Sequence, residues 1–434
     1  MANWKKIGTG VAVLAVIAAA GAGGWAWTKL NTSRSSVADD SVALADFKAD
    51  PEAAARGEYV MRLGDCAACH TKGQGDFAGG YEIHTPFGML VSSNITPDRE
   101  TGIGAMTERD FFDAMRHGRG SEGMLYPAMP YTDYAKLSDA DMHDLWAYMS
   151  TVVPVSNEID ENGGMAFPYN IRLAMAGWNM LFFDNSGFSP DASQSAEWNR
   201  GAYIVEGPGH CSACHTPRNA LGAEIGAAHM QGAEVDGWHA PEITSNPHVG
   251  LGGSSLEDVA RYLQTGSDGV AFAAGPMAEA VEDSTQYLSD EDAMAVATYL
   301  MSLPGSEARA SAPMALNASA ALAYEVNCSA CHGLEGEGID GLAPGFAGNG
   351  ALLSDSTTNP VRALLTGARA AHTGVLPTGA GMPSFAWKMN DAQIAEVLDF
   401  IRNSWGNSAA PVKVEDVASL REALGAREKI AAPE

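Results

Sequence analysis

The feature that most constrains this chain is the string Cys-x-x-Cys-His. It occurs three times, as GDCAACHTK at 64–72, HCSACHTP at 210–217 and NCSACHGL at 327–334. The six cysteines are Cys66, Cys69, Cys211, Cys214, Cys328 and Cys331, so each belongs to one of these motifs. Four chemistries compete for them. An intra-motif disulfide is compatible with export, but it closes a very small loop and leaves the histidine without a role. A thioredoxin-like site needs the pair to open a helix after a buried strand. The preceding stretches EAAARGEYVMRLGD, SAEWNRGAYIVEGPGH and ASAALAYEVN read instead as helix running into a turn. Structural zinc wants paired units at suitable spacing, whereas these motifs stand more than one hundred residues apart.

Covalent haem attachment accounts for every residue of the motif. Residues three apart share a helix face, so two thiols can form thioethers with the two vinyl groups of one haem. The next residue, His70, His215 or His332, then reaches the iron as proximal ligand. The chain is accordingly expected to carry three covalently bound haem c groups.

The 434 residues fit about three domains of about 150 residues each. A net charge of −27 excludes nucleic acid as a natural partner and keeps an exported chain soluble. Residues 7–27, IGTGVAVLAVIAAAGAGGWAW, carry no charge and come close to the roughly 20 residues that span a bilayer. Lys5 and Lys6 precede the run, and Trp25 and Trp27 close it where interfacial aromatics belong. A cleaved signal peptide is the competing reading, with Ala18, Ala19, Ala20 and Ala22 near a cut. The length of the run favours a retained N-terminal transmembrane helix. Lys29 and Arg34 follow it, so charge alone does not orient it. Haem attachment outside the cytoplasm does, placing the bulk of the chain in the periplasm.

The chain repeats one unit three times. Each unit opens with a helix-like segment, Arg56-Gly57-Glu58-Tyr59, Arg200-Gly201-Ala202-Tyr203 and, more weakly, Ala321-Leu322-Ala323-Tyr324. Each ends in a second helix: KLSDADMHDLWAYMS, YLSDEDAMAVATYLMS or KMNDAQIAEVLDFIRN. All three closing helices start with Ser or Asn before Asp, an N-cap signature. Apolar pairs follow at helical spacing: Leu145 and Tyr148, Val296 and Leu300, Val397 and Phe400. Between motif and closing helix the chain is rich in Gly and Pro, which suits loops and little strand. The expected layout is an anchor and linker at 1–45, then cytochrome-type domains at 46–155, 191–304 and 319–408. An aromatic connection at 156–190 and a polar linker at 305–318 join them. The aromatic connection packs at a domain junction or meets a partner subunit or the membrane. The tail, 409–434, either forms a short amphipathic helix through Val417, Leu420 and Leu424 or stays loosely ordered.

Each unit also offers a methionine in a turn-rich segment before its closing helix: Met129 in LYPAMPYTDY, Met277 in AAGPMAEAV and Met382 in GAGMPSFAW. They stand 59, 62 and 50 residues beyond the proximal histidines. A thioether in the distal position closes the iron for electron transfer and raises its potential. Met124 and Met389 are the nearest rivals, and Met389 reads as structural because it abuts a helix start. Met277 is followed by Ala278, whereas Met129 and Met382 are followed by Pro, so its loop is less obviously preformed. His117, His143 and His372 read as structural or exposed.

These residues resemble the triheme cytochrome c subunit of membrane-bound bacterial dehydrogenases, which oxidise alcohols, aldehydes, gluconate, sorbitol or fructose. The resemblance runs over about residues 45–408. It rests on TPFGMLVSSNITPDRETGIGAMTERDFFDAMRHG with LYPAMPYT, on NRGAYIVEGPGHCSACHTPRNALG and ITSNPHVGLGGSSLEDVARYLQTG with GPMAEAV, and on ALAYEVNCSACHGLEGEG with MPSFAWKMNDAQIAEVLDFIRNSWG. PYNIRLAMAGWNMLFFD also looks like the family's first inter-domain connection. The resemblance implies a mainly α chain of three tandem class I cytochrome c domains. It implies a non-catalytic electron-transfer subunit at the bacterial inner membrane. Its partners would be a periplasmic catalytic subunit of PQQ, flavin or molybdenum type, a small third subunit, and ubiquinone as electron acceptor. No dinucleotide-binding glycine fingerprint and no cysteine for an iron–sulfur cluster remain in the chain. Two other readings stay open: a haem enzyme or ligand sensor with one open iron, and a soluble multihaem shuttle.

Overall fold

The structure is a computed structural model that describes residues 38–312 and 314–431, with side chains described to residue 425. The expected membrane anchor at 7–27 lies outside the described residues. Among the described residues no helix is long and apolar enough to cross a membrane. The fold is mainly helical, and the strands described form four two-stranded antiparallel hairpins. The described residues divide into two compact units, those up to Gly57 with His70–Gly187 and Glu58–Cys69 with those from Phe188 onward. The second and third repeats lie together in one of these compact units.

The first unit begins with most of helix α1 (Pro51–Leu63), and helix α2 (Cys66–His70) carries the first motif across the boundary between units. A hairpin follows, β1 (Glu82–Thr85) with β2 (Gly88–Val91), and then helix α3 (Glu108–His117). Thr107 and Asp110 form a reciprocal capping box at the start of α3, and left-handed Gly118 ends it. The short pair β3 (Arg119–Gly120) and β4 (Gly123–Met124) leads through helix α4 (Tyr131–Tyr134) to the closing helix α5 (Asp139–Met149). Ser138 caps α5 by accepting from the Asp141 N–H. Phe112, Leu145 and Trp146 are buried in this unit, and Gly57 brings α1 onto the α5 backbone. The Asn94 side chain donates to the Val155 carbonyl at 2.8 Å, pinning the chain as it leaves. The aromatic connection folds back on this unit and forms helix α6 (Ala174–Phe182).

In the second unit, helix α7 (Ala196–Glu206) crosses the closing helix α11 (Asp290–Leu300). Between them lie α8 (Ser212–His215), the pair β5 (Ala233–Val235) and β6 (Trp238–Ala240), α9 (Leu256–Thr265) and α10 (Pro276–Asp283). Ser289 caps α11 on the Asp292 N–H. Buried Val205, Val259, Val296 and Leu300 make the core between these helices. The outgoing linker is fastened as in the first repeat: Asn246 donates to the Ser306 and Ala308 carbonyls, and buried Glu242 accepts from Ser306. A buried carboxylate bonded in this way costs little.

The third repeat adds α12 (Ala318–Asn327), α13 (Ser329–His332), α14 (Gly350–Leu353), α15 (Thr358–Thr366), the pair β7 (Ala368–Arg369) and β8 (Gly381–Met382), and the closing helix α16 (Asp391–Arg402). Asn390 and Gln393 form its capping box. The tail takes the helical of its two readings. Helix α17 (Val414–Ala431) buries Val417 and Leu424 against the third core. Within this unit the Asn359 amide exchanges hydrogen bonds with the backbone of His239, at 2.8 and 2.7 Å. Arg362 stacks over Trp238 with its guanidinium carbon 4.7 Å from the ring centre, and Arg369 pairs with Glu282 at 2.7 Å. These bonds join β6 and α10 to α15 and β7, which is why the two repeats form one body.

Candidate functional site

Each motif forms a short helix that ends at its histidine, with Cys66 inside the first helix and Cys211 and Cys328 at the N-caps of the other two. One turn of helix puts the two cysteines of a pair on the same face. All six cysteines are free thiols. Burial, then the neighbouring Asp65 carboxylate, pushes the Cys66 and Cys69 thiols up to about 12. Burial raises Cys328 to about 11. Redox-active pairs show the opposite, a lowered thiol pKa. Among the described residues no group of three His, Cys, Asp or Glu is placed to hold a metal ion. The raised thiols weigh against the redox reading.

The three histidines share one arrangement. His70 Nδ1 lies 2.7 Å from the Ser93 carbonyl, His215 Nδ1 2.7 Å from that of Pro241, and His332 Nδ1 2.9 Å from that of Pro344. A carbonyl only accepts, so Nδ1 must carry the proton and Nε2 keeps its lone pair. Burial lowers the pKa of all three rings, against the opposing effect of the carbonyl bond, and so favours the neutral imidazole. A neutral ring held at Nδ1 with Nε2 as the available donor is what an iron ligand requires. The residues present therefore fit covalent haem at all three motifs.

The candidate distal methionines are held in three different ways. Met129 sits in a turn, its N–H donating to the Tyr126 carbonyl at 3.1 Å and its carbonyl accepting from the Tyr131 N–H at 2.7 Å. Met277 lies in the first turn of α10 behind Pro276, at the N1 position that proline suits. The Gly275 before it has φ 58°, and a side chain there would come within 2.5 Å of the Trp238 ring. The rigidity that the missing following proline left in question is thus supplied by the preceding Gly-Pro and the helix. Met382 is in β8, paired with Ala368. Met277 and Cys211 pack against the same core, and Met382 against the core that contains Cys328. In the first repeat Ala128, beside Met129, packs on Leu90, Tyr126 and Met165.

The rival residues have other work. The Met124 carbonyl accepts from Arg172, and Met389 is buried in the third core. His117 contacts the Asn185 amide, His143 contacts Glu108, and the His372 N–H donates to Glu282.

The carbonyls of Ser93, Pro241 and Pro344 are absent from any reading of the sequence. They stand 23, 26 and 12 residues beyond their histidines, and that irregular spacing hides them. Two following prolines in HAPEIT and GLAPGF were the available signal. His210 was likewise missed. Burial lowers the pKa of its ring, which also hydrogen-bonds the backbone of Gly64, two residues before Cys66. Asp65 and His210, each just before the first cysteine of its motif, both adopt positive φ, 50° and 35°. That conformation turns the helix sharply into the motif.

A family model described as cytochrome c matches residues 318–405. One described as cytochrome C oxidase, cbb3-type, subunit III matches residues 52–149. The gluconate 2-dehydrogenase cytochrome c subunit of Pantoea cypripedii is 40% identical over 406 residues, covering 88% of this chain and 92% of that one. The fructose dehydrogenase cytochrome subunit of Gluconobacter japonicus is 36% identical, covering 84% and 82%. The alcohol dehydrogenase (quinone), cytochrome c subunit of Gluconobacter oxydans is 37% identical, covering 86% and 83%. The histidine geometry and these likenesses agree: the chain belongs to the family of cytochrome c electron-transfer subunits of gluconate, fructose and alcohol dehydrogenase complexes.

Proposed function

We propose that this chain carries three haem c groups and passes electrons from a periplasmic catalytic subunit to ubiquinone in the inner membrane. The observation that carries this reading is the threefold Nδ1–carbonyl arrangement, which readies His70, His215 and His332 alike for iron. Bound haem would supply a one-electron carrier at each site. The chain's own residues do the rest. Cys66 with Cys69, Cys211 with Cys214 and Cys328 with Cys331 hold one haem each through two thioethers. The three histidines would ligate the iron, with Met129, Met277 and Met382 as its second protein ligands. Loop carbonyls fix the ring orientations, and the thioether ligands raise the potentials. The catalytic subunit is of PQQ, flavin or molybdenum type, with a small third subunit as a further partner. Residues 7–27 anchor the chain on the periplasmic side, and 46–155, 191–304 and 319–408 are the three haem domains.

The test has two arms. The intact mass of protein matured in a host competent in cytochrome c assembly should exceed the chain by three haem masses. Replacing Met129, Met277 or Met382 singly by Ala should make one haem in three reactive with carbon monoxide and lower one of three potentials. A native protein in which one haem already binds carbon monoxide would favour the sensor reading instead. A Met277→Ala protein with three unchanged potentials would remove Met277 from the ligand set.

A further inference from the structure

We propose that the outer face of residues 167–182 is a bilayer-contacting surface that seats the first repeat on the membrane. The proposal rests on the reading of residues 7–27 as an anchor. The residues Leu173–Phe183, LAMAGWNMLFF, hold no charge between Arg172 and Asp184, in a chain of net charge −27. Phe167, Leu173 and Leu181 are 80%, 76% and 73% exposed, and Tyr169, Ile171 and Phe182 are exposed beside them. Scattered apolar side chains on a surface need no explanation, but six large ones within sixteen residues do.

The inner face of the same segment is fully engaged. Tyr131 donates its hydroxyl to Asn179 at 2.6 Å, and its ring meets Phe183 edge-on at 5.3 Å. Tyr126 donates to the Tyr169 carbonyl at 2.9 Å. Arg172 donates to the Met124 carbonyl and pairs with Glu161, and Ala176 is buried. These bonds hold α6 over the loop of residues 124–131, which carries Met129. The outer face is therefore rigid, apolar and fastened to the wall of the first site.

Lipid is the occupant for two reasons. Ala38 is buried in the same compact unit, and the Asp39 carbonyl accepts from the Arg109 N–H. From Trp27 to Ala38 the chain can reach at most about 40 Å. An anchor at 7–27 therefore keeps this unit, and no other part of the described chain by so short a tether, close to the bilayer. The second reason is charge. An acidic protein is repelled by anionic headgroups, and an uncharged face carrying Tyr, Phe, Ile and Leu is the part that can enter the interface.

The test uses the full-length, haem-loaded chain in phosphatidylcholine–phosphatidylglycerol vesicles that contain a lipid-phase carbene photolabel. Labelled peptides are read by mass spectrometry. Label is expected in peptides spanning 7–27 and 167–183, and its loss from 167–183 is expected in a Leu173→Glu/Leu181→Glu variant whose haem spectrum is unchanged. Both leucines are exposed, so that variant should fold. Label at 7–27 without label at 167–183 overturns the surface and leaves the anchor standing. Label at 167–183 alone supports the surface and refutes a retained anchor. Label at neither refutes both. If the label at 167–183 disappears in the native complex with its catalytic subunit, that subunit covers the face and the proposal fails.

Discussion

The second and third repeats close their helix pairs by opposite means. In the second, α7 meets α11 at Gly201. A side chain there would lie 1.9 Å from the Ala295 carbonyl oxygen and 2.9 Å from the Tyr299 Cβ. The first repeat does the same at Gly57, 1.8 Å from the Asp144 carbonyl oxygen. In the third, α12 contains no glycine, and α12 and α16 are held apart by aromatic rings. Tyr324 packs on Phe400 and Trp405 at 5.4 and 5.1 Å, and its hydroxyl donates to the Gly333 carbonyl at 2.6 Å. The glycine that makes room lies elsewhere, at Gly336, where a side chain would strike the Trp405 ring. One architecture thus tolerates backbone-on-backbone contact or an aromatic wedge, and the choice decides where each repeat is vulnerable.

The largest effect should come from Gly201→Val. No rotamer removes a Cβ from a carbonyl oxygen, so α7 must leave α11, and a loss above about 5 kcal/mol is expected. Denaturant unfolding with haem stoichiometry would show it. A variant that folds with three haems and wild-type stability would erase the contrast. Next is Tyr324→Ala in the third repeat, with an expected loss of about 4 kcal/mol from the vacated wedge. If it costs less than Tyr324→Phe, the rings are not the spacer.

A smaller effect concerns the ion pair that binds α7 to α11. Arg200 grips Asp292 through two hydrogen bonds of 2.7 Å, and Tyr59 donates to the same carboxylate. Burial alone would raise the Asp292 pKa, but the bonds from Arg200 and Tyr59 override it and leave it lowered. A carboxylate with a depressed folded pKa stabilises above its unfolded value of about 4, and loses that contribution as pH falls through the folded pKa. Arg200→Leu should cost about 2 kcal/mol at neutral pH, less than a fully buried pair because the guanidinium is partly exposed. The variant should also show a flatter acid limb below about pH 4. A parallel downward shift at every pH would mean that Arg200 acts by packing alone. The smallest effect is Tyr324→Phe, which removes one hydroxyl bond at a cost of about 1 kcal/mol, read as a modest drop in the unfolding midpoint.

Much of this was legible in the chain because it is local. The motif needs five consecutive residues, and the closing helices announce themselves through Ser138, Ser289 and Asn390, each of which does cap its helix. The Gly in Arg56-Gly57 and Arg200-Gly201 was visible, but not that it touches a carbonyl, because contact depends on a partner helix about ninety residues away. The acceptors for the histidines were illegible for another reason. Any residue offers a carbonyl, so side-chain identity marks the position only weakly. The fastening of the aromatic connection onto Tyr126 and Tyr131 was hidden in the same way, since half of it runs through backbone atoms.

That fastening has a consequence in time. A chain that emerges N-terminus first presents Cys66, Cys69 and His70 early, and α5 later. Asn179 and Phe183, which lock Tyr131 and with it the loop of Met129, come later still. On the proposed ligand set, the proximal histidine of the first repeat therefore emerges before the residues that latch the loop of Met129. In the third repeat both Met382 and its strand partner Ala368 precede the closing helix α16 in the chain. The first site to emerge is thus the one whose distal wall waits for sequence beyond its own closing helix.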